Sequence, residues 1–377
     1  MNVLMISGDK GITKKQTAVR ERMKTYAHLF NELHIVVPSD GEGEPEHVGN
    51  LFMYPAYGKG KIMQRIRMFR YARLVARKHR IDVVTSQSPD EFGLIAFLVA
   101  RLSGSALQLQ VHTDIMSKWY RRAGIISYIK FLLARFLLHH ADCLRVVSVR
   151  IKQSLEDQLG INASKISVLP IFTDTGVFLS AIPDEYVKKR FSRYGFKMMA
   201  VGRFVDREKN FSMLIDVMAD FVKTYSDAVL VLVGEGPDKE MYRRRIRERG
   251  LENHVIIEPW QNNLAGWYGA FDLFLLPSYI EGWGIAVIEA MSAGCAVIMT
   301  DVGLAREVVH DGINGRIVPV ADPRQFLNAM IDLYEHPEKR AQFVRAAHES
   351  IQRIAQMTEK DYLAAFRKCF ETCVPRG

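Results

Sequence analysis

Short apolar runs, each followed by a helix-periodic stretch, recur along the whole 377-residue chain, and that alternation admits few folds. A run such as Val3-Leu4-Met5-Ile6 is apolar on both sides of a strand, as in a parallel sheet covered by helices on each face. In the first half the pattern predicts strands at Val3–Ser7, His34–Val37, Asp82–Thr85, Leu107–His112, Leu144–Val149 and Ile166–Leu169. Between them it predicts a helix running to about Asn31, a basic helix over Lys61–His79, a helix through Phe92–Leu102 and a long one over Trp119–His140. The alternation restarts after Phe191, with strands Met198–Val201, Val229–Val233, Val255–Ile257, Leu273–Leu276 and Ala296–Met299. Helices Phe211–Tyr225, Met241–Arg249 and Ala286–Met291 are interleaved with them, and Glu359–Glu371 ends the series. The expected class is therefore α/β, with two Rossmann-like parallel sheets in series. The irregular stretch Ile171–Pro183 is the expected linker.

Composition excludes several classes. With 48% hydrophobic and 25% charged residues the chain is an average globular one, not a disordered or fibrous one. Its 4 cysteines include no C-x-x-C pair, and no secretory leader opens the sequence, which favours a cytoplasmic protein. The apolar stretches Phe92–Leu102 and Ile125–Leu138 fall short of the roughly 20 residues a spanning helix needs. Charge is lopsided: residues 1–183 hold 25 Lys and Arg against 15 Asp and Glu, and residues 184–377 hold 26 against 27. A basic first half suggests an anionic partner: a membrane surface, a phosphorylated substrate or nucleic acid. Nine Lys or Arg lie between Lys59 and Arg80, and the spacing of Arg70, Arg73, Arg77 and Arg80 places them along one side of a helix. That stripe is a candidate for anionic lipid, with the segment from Trp119 to Leu138 as a second interfacial candidate. The alternative is a solvated face and a core helix.

Three strand-to-helix junctions could carry chemistry. Ser278-Tyr279-Ile280-Glu281-Gly282-Trp283-Gly284-Ile285-Ala286 follows an apolar strand and leads into a helix that contains Glu289. Such a junction offers backbone N–H groups and the positive end of the helix to a phosphate or a sugar hydroxyl, and glycine lets the ligand come close. Glu281 and Glu289 could then grip different parts of one extended ligand. Singly, each glutamate also fits an ordinary role complementing the helix dipole or facing solvent. The second junction is Gly202-Arg203-Phe204-Val205-Asp206-Arg207-Glu208-Lys209-Asn210, where Arg203 and Lys209 could converge on a diphosphate. The third, Gly234-Glu235-Gly236-Pro237, is a weak phosphate-loop signal alone.

Together these residues resemble the family 4 retaining glycosyltransferases of GT-B fold, the group 1 glycosyl transferases. Glu281 and Glu289 match that family's paired-glutamate pattern, and Arg203 and Lys209 match its Arg and Lys at the same spacing. Gly234-Glu235-Gly236-Pro237 matches its next glycine turn, and Asp301-Val302-Gly303, Glu307, Asp311-Gly312 and Asn314-Gly315 match its last part. The resemblance implies a domain over residues 1–172 that binds an acceptor and one over 173–355 that binds a UDP- or GDP-linked sugar. It also implies a terminal segment, 356–377, returning to the first domain. Transfer would occur in the cleft with retention of configuration and without a metal or other cofactor. Arg203 and Lys209 would neutralise the departing diphosphate. Glu289 would hold the ribose hydroxyls, while Glu281 with Gly282, Trp283, Gly284, Ile285 and Ala286 would hold the sugar and the distal phosphate.

By the same resemblance His112, in Val111-His112-Thr113-Asp114, faces the donor sugar, although a strand-end histidine is the plainer reading. Gly8 and Gly11, in Ser7-Gly8-Asp9-Lys10-Gly11-Ile12, stand where many relatives carry a Gly-Gly pair, so contact with the donor phosphate is less well supported. Trp260 falls where relatives pass the nucleobase, and it equally suits a core position. Cys369 and Cys373 lie four apart on the last helix and read as ordinary thiols. The resemblance points to an acceptor that is lipid-linked or a polysaccharide precursor, met by an enzyme peripheral to the cytoplasmic membrane face. A nucleotide-sugar epimerase or a phosphorylase of the same fold is the rival, and a basic nucleic-acid-binding protein a distant one.

Overall fold

The computed structural model describes residues 1–261 and 263–374. Its contacts divide the chain into two compact units, Met1–Pro170 with the segment from Glu359 onward, and Ile171–Thr358.

The first unit is an eight-stranded sheet built from β1 (Asn2–Ile6), β2 (Glu32–Ser39), β3 (Glu46–Val48), β4 (Leu51–Tyr57), β5 (Val83–Ser86), β6 (Ala106–Val111), β7 (Cys143–Val146) and β8 (Ile166–Val168). The order is β3-β4-β2-β1-β5-β6-β7-β8, parallel except where β3 pairs antiparallel with β4 at one edge. Central β1 runs beside β2 and β5, with Met5 opposite Ile35 and Thr85. Val3, Leu4, Met5 and Ile6 are wholly buried, as an all-apolar strand between two helical layers must be. Chain hydrophobicity did not reveal the β3–β4 hairpin, because β3 is exposed throughout and β4, although largely buried, carries Pro55, a residue that argues against a strand interior.

Glycine and cap chemistry account for the other departures from the sequence reading. The expected long helix is two, Lys118–Arg122 and Ile125–His140, because Gly124 turns the chain at φ 135°. The strand expected to reach Val149 stops at Val146, since Ser148 accepts a hydrogen bond from the Ile151 N–H and starts the helix Val149–Leu159. The first helix is likewise a short 3-10 turn, Lys10–Thr13, and then Ala18–Ala27 capped by Thr17. Arg70, Arg73 and Arg77 are exposed on the helix Lys61–Lys78, whereas Arg80 lies beyond its end, where His79 is extended.

The terminal helix Glu359–Glu371 belongs to this first unit. It buries Tyr362, Phe366 and Phe370, and Tyr26 stacks on Phe366 at 4.5 Å. Cys373 is not an ordinary thiol here: it is disulfide-paired with Cys143 on β7, Cα to Cα 5.0 Å, while Cys369 is a buried free thiol. The spacing of Cys369 and Cys373 carries no signal for a partner 230 residues away.

The second unit is a six-stranded parallel sheet of β9 (Phe196–Val201), β10 (Ala228–Val233), β11 (Val255–Glu258), β12 (Leu273–Leu276), β13 (Ala296–Thr300) and β14 (Arg316–Val318), in the order β11-β10-β9-β12-β13-β14. Its core joins β9, β10, β12 and β13 to the helix Phe211–Phe221 through Phe196, Leu214, Phe221, Leu230 and Ile298. Two helices that the sequence pattern left unassigned, Pro323–Glu335 and Pro337–Ala355, each begin with proline in the first turn, where its missing N–H is not needed. Because every strand pair in this sheet is parallel, the carboxyl ends of β9, β10, β12 and β13 open on one edge, and ligands of such sheets bind there.

Candidate functional site

On that edge of the second unit the predicted junctions meet. Lys209 closes the short helix Asp206–Lys209, and Asn210 follows in the left-handed conformation at φ 54°, wholly buried. Asn210 Nδ2 donates to the Pro277 carbonyl at 3.3 Å, and the Tyr279 N–H donates to the Glu208 carbonyl at 2.8 Å. These bonds lock the β9 loop onto the end of β12. Lys209 Nζ consequently lies 2.5 Å from Glu281 Oε1, which also accepts from the Ser278 hydroxyl at 2.8 Å. Both charged groups are largely buried, the side chains 17% and 12% exposed. A buried ion pair is held in place only where its geometry and further hydrogen bonds offset desolvation, and Ser278 supplies one such bond.

Arg203 is not brought to this pair. Its side chain is 72% exposed and bonds Glu208 at 2.8 Å. An exposed pair of this kind contributes little, so the arginine is released cheaply. Glu289 sits in the second turn of the helix Ile285–Ser292, with Oε2 accepting from the Tyr268 hydroxyl at 2.9 Å. Burial raises the pKa of Glu289, and the Tyr268 hydrogen bond opposes that shift. Tyr268, fully buried, is raised well above a normal phenol by burial and by the Glu289 charge, so it stays a donor. Tyr268 carries no motif signal, and Ser278, which opens the predicted junction, gains a role only by what it touches.

The glycines are there for close approach. A Cβ on Gly234 would stand 2.0 Å from the Gly202 carbonyl oxygen, and one on Gly236 would stand 2.4 Å from that of Phe204. Gly303, at φ 55°, packs against the Trp283 carbonyl, and Gly284, at φ 101°, starts the helix Ile285–Ser292 with no side-chain cap. Ile285 and Ala286 open that helix partly exposed, Gly282 is buried, and Trp283 is buried with its indole N–H lacking a partner among the described residues. Glu235 is bound by Lys239 at 2.8 Å. Trp260, just beyond β11, is 55% exposed, so the core reading of that residue is wrong. In the last part of the pattern Asn314 is structural: it bonds the His310 N–H, the Val308 carbonyl and Ser350. Gly234→Ala should cost about 2–4 kcal/mol, from a left-handed φ and a clash with backbone. The melting temperature should fall by about 5–15 °C, and by about a degree or less for Gly41→Ala, which meets nothing within 4 Å. Equal melting of the two variants would refute the packing argument.

In the first unit the loops after β1 and β6 carry the remaining predicted residues. Asp9 Oδ1 accepts from the Gly11 N–H at 2.8 Å, which shapes the turn that contains Gly8, and Gly8 packs under Phe92. His112, partly buried at the end of β6, has Nε2 3.3 Å from Gln110 Oε1. Elsewhere, at the amino end of β2, Glu32 Oε2 lies 3.0 Å from both His34 Nε2 and His79 Nδ1, and His34 Nδ1 lies 3.0 Å from the Tyr54 hydroxyl. Sequence spacing gave no hint of this cluster. The buried His34 ring has both nitrogens matched within it.

Solved structures of GT-B glycosyltransferases share this fold: Anabaena Alr3699/HepE in complex with UDP and glucose aligns with a TM-score of 0.75 at 17% identity, covering 99% of each chain. The model of the glycosyl transferases group 1 matches residues 184–350, and that of glycosyltransferase family 4 matches residues 16–177. The chain belongs to this group 1, family 4 glycosyltransferase family. The alpha-D-kanosaminyltransferase of Streptomyces kanamyceticus is 23% identical over 88% of this chain and 86% of its own. The phosphatidyl-myo-inositol mannosyltransferase of Mycobacterium leprae is 29% identical over 43% of this chain and 44% of its own, so the similarity spans under half of that relative.

Proposed function

We propose that the protein transfers a sugar from a UDP- or GDP-linked donor to an acceptor, with retention of anomeric configuration and without a metal ion. The observation that carries this reading is the convergence of Lys209, Glu281 and Ser278 beside the start of the helix Ile285–Ser292, at the carboxyl edge of a parallel sheet. A diphosphate leaving group develops negative charge, and a preorganised ammonium together with helix N–H groups stabilises such charge. Lys209, joined by Arg203 once it leaves Glu208, fits the task that a divalent cation performs in other transferases. Glu289 has Oε1 left for a ribose hydroxyl, since Tyr268 takes up Oε2. Glu281, already bonded to Lys209 and Ser278, is a ligand for sugar hydroxyls and not a nucleophile. Trp260, exposed beyond β11, suits stacking on the base. The test is transfer from radiolabelled UDP- and GDP-hexoses to lipid and polysaccharide extracts in EDTA, followed by the anomeric configuration of the product. Retention with activity in EDTA is expected. Inversion, or activity abolished by EDTA, would refute the mechanism.

The acceptor is taken from a membrane surface in this reading. The helices Lys61–Lys78, Glu91–Ser103 and Ile125–His140 pack side by side in the first unit. The first exposes Ile62, Ile66 and Leu74 along with Arg70, Arg73 and Arg77, and the other two expose Leu102, Ile125 and Ile129. Apolar side chains interleaved with cations suit an anionic bilayer interface, and no described helix is long and apolar enough to cross one. Reversal of the three arginines to glutamate should weaken binding to vesicles rich in anionic lipid by more than about 100-fold, at roughly 1 kcal/mol per charge. Equal co-sedimentation of variant and wild type would refute the contact.

A further inference from the structure

Inside the first unit a buried guanidinium sits where, among the described residues, no acid answers it. Arg145 on β7 is 3% exposed, and its hydrogen-bond partners are all neutral. Nη1 donates to Gln110 Oε1 at 2.9 Å, and Nη2 donates to the Leu169 carbonyl at 3.1 Å and to the Tyr362 hydroxyl at 3.0 Å. Its Nε–H has no partner among the described residues. From Gln110 a line of buried amides crosses the sheet. Gln110 Nε2 lies 3.4 Å from Thr85 Oγ1 and 3.5 Å from Gln108 Oε1, the Thr85 hydroxyl donates to Gln108 Oε1 at 3.0 Å, and Gln108 Nε2 donates to the Cys369 carbonyl at 2.8 Å.

The sense of this line is fixed from both ends. A guanidinium can only donate and a backbone carbonyl can only accept, so Gln110 must turn its oxygen toward Arg145 and its NH2 toward Gln108. The group facing His112 Nε2 at 3.3 Å is therefore an acceptor, Gln110 Oε1, and that ring nitrogen must carry the proton. The lone pair is left on Nδ1. Burial, then the charges of Arg145 on β7 and Arg22 on the helix Ala18–Ala27, hold the pKa of His112 down at about 3.

We propose that Arg145 and Gln110 are positioning residues that keep His112 as the neutral imidazole protonated on Nε2, so that Nδ1 accepts a hydrogen bond from a hydroxyl of the sugar substrate. The part concerning substrate rests on the glycosyltransferase reading; the part concerning the tautomer does not. In this arrangement Nδ1 of His112 carries no proton to give to the substrate at neutral pH. It favours a sugar that presents an O–H at that point over one that presents a carboxylate, whose oxygen would meet a lone pair.

Long-range proton–nitrogen spectra of the nitrogen-15-labelled full chain, unliganded, read the tautomer directly, with His112→Asn assigning the signal. The wild type should show Nε2–H and no titration from pH 5 to 8. The near-isosteric Gln110→Glu places a carboxylate against Nε2 and should bring a His112 titration into that range. It should also make kcat/KM fall as the pH is lowered. Gln110→Met should mix the two tautomers and lower kcat/KM about tenfold, whereas Arg145→Lys, still a donor, should keep the Nε2–H form. An Nδ1–H tautomer or an ordinary titration in the wild type would overturn the tautomer claim. Unchanged transfer by a Gln110→Met protein with mixed tautomers would overturn the substrate role.

Discussion

Lys209→Ala should lower sugar transfer by about 100-fold or more, with the fold intact. Removing one preorganised donor from a site where negative charge develops typically costs a factor of 10²–10³, about 2.7–4 kcal/mol. Lys209 meets the condition for a cost of that size, because it is largely withdrawn from solvent and its ammonium is fixed against Glu281 and, through Asn210, against the end of β12. The same substitution leaves the Glu281 carboxylate with Ser278 alone, so a stability loss of about 1–2 kcal/mol should accompany it. Arg203→Ala should leave stability unchanged, since its exposed pair with Glu208 is of the kind that contributes little. Turnover numbers at saturating donor, together with melting curves, separate these effects. A Lys209→Ala enzyme within threefold of the wild type would remove the lysine from the leaving-group role.

Glu289→Ala should reduce kcat/KM by more than tenfold, and the loss should depend on pH. Burial favours the neutral carboxylic acid, so the folded-state pKa lies above that of the unfolded chain. Stability from this group is then full below the ordinary glutamate range and is lost as the pH rises through the raised pKa. Donor binding runs the other way, because a carboxylate is the better acceptor for ribose hydroxyls, and affinity should weaken as the pH falls through that same pKa. Glu289→Gln removes the titrating proton and should flatten the affinity profile at a lower ceiling. Tyr268→Phe takes away the hydrogen bond that lowers the Glu289 pKa and should move the profile toward higher pH. Identical profiles for wild type and Glu289→Gln would show that another group governs binding.

Two sheets were legible because their strands are buried on both faces, so the runs Val229–Val233 and Leu273–Leu276 read as strands without help from periodicity. What escaped was held by contacts that leave no local pattern. The edge strand β3 is exposed and three residues long, and the helix Val149–Leu159 hid behind a strand whose end depends on the Ser148 cap. Glu281, Glu289 and Lys209 stand out in the sequence by their places at strand-to-helix junctions. Arg203 was expected beside Lys209 and is turned outward to Glu208, a choice made by an exposed side chain that spacing does not constrain. Tyr268 and Arg145 reach their partners from other elements and are recognised only once the chain is folded, whereas Ser278 and Gln110 touch Glu281 and His112 from two or three positions away. The disulfide partner of Cys373 depends on the terminal helix lying on β7, which the Cys369–Cys373 spacing does not encode.

The most direct test of the central claim is a calorimetric titration of UDP, GDP, ADP and CMP into the full chain in EDTA, repeated with Lys209→Ala. Saturable binding of UDP or GDP, weakened more than tenfold by the substitution, is the predicted result. A folded protein that binds none of the four, or binds UDP or GDP only when a divalent cation is restored, would contradict a metal-independent nucleotide-sugar site built on Lys209.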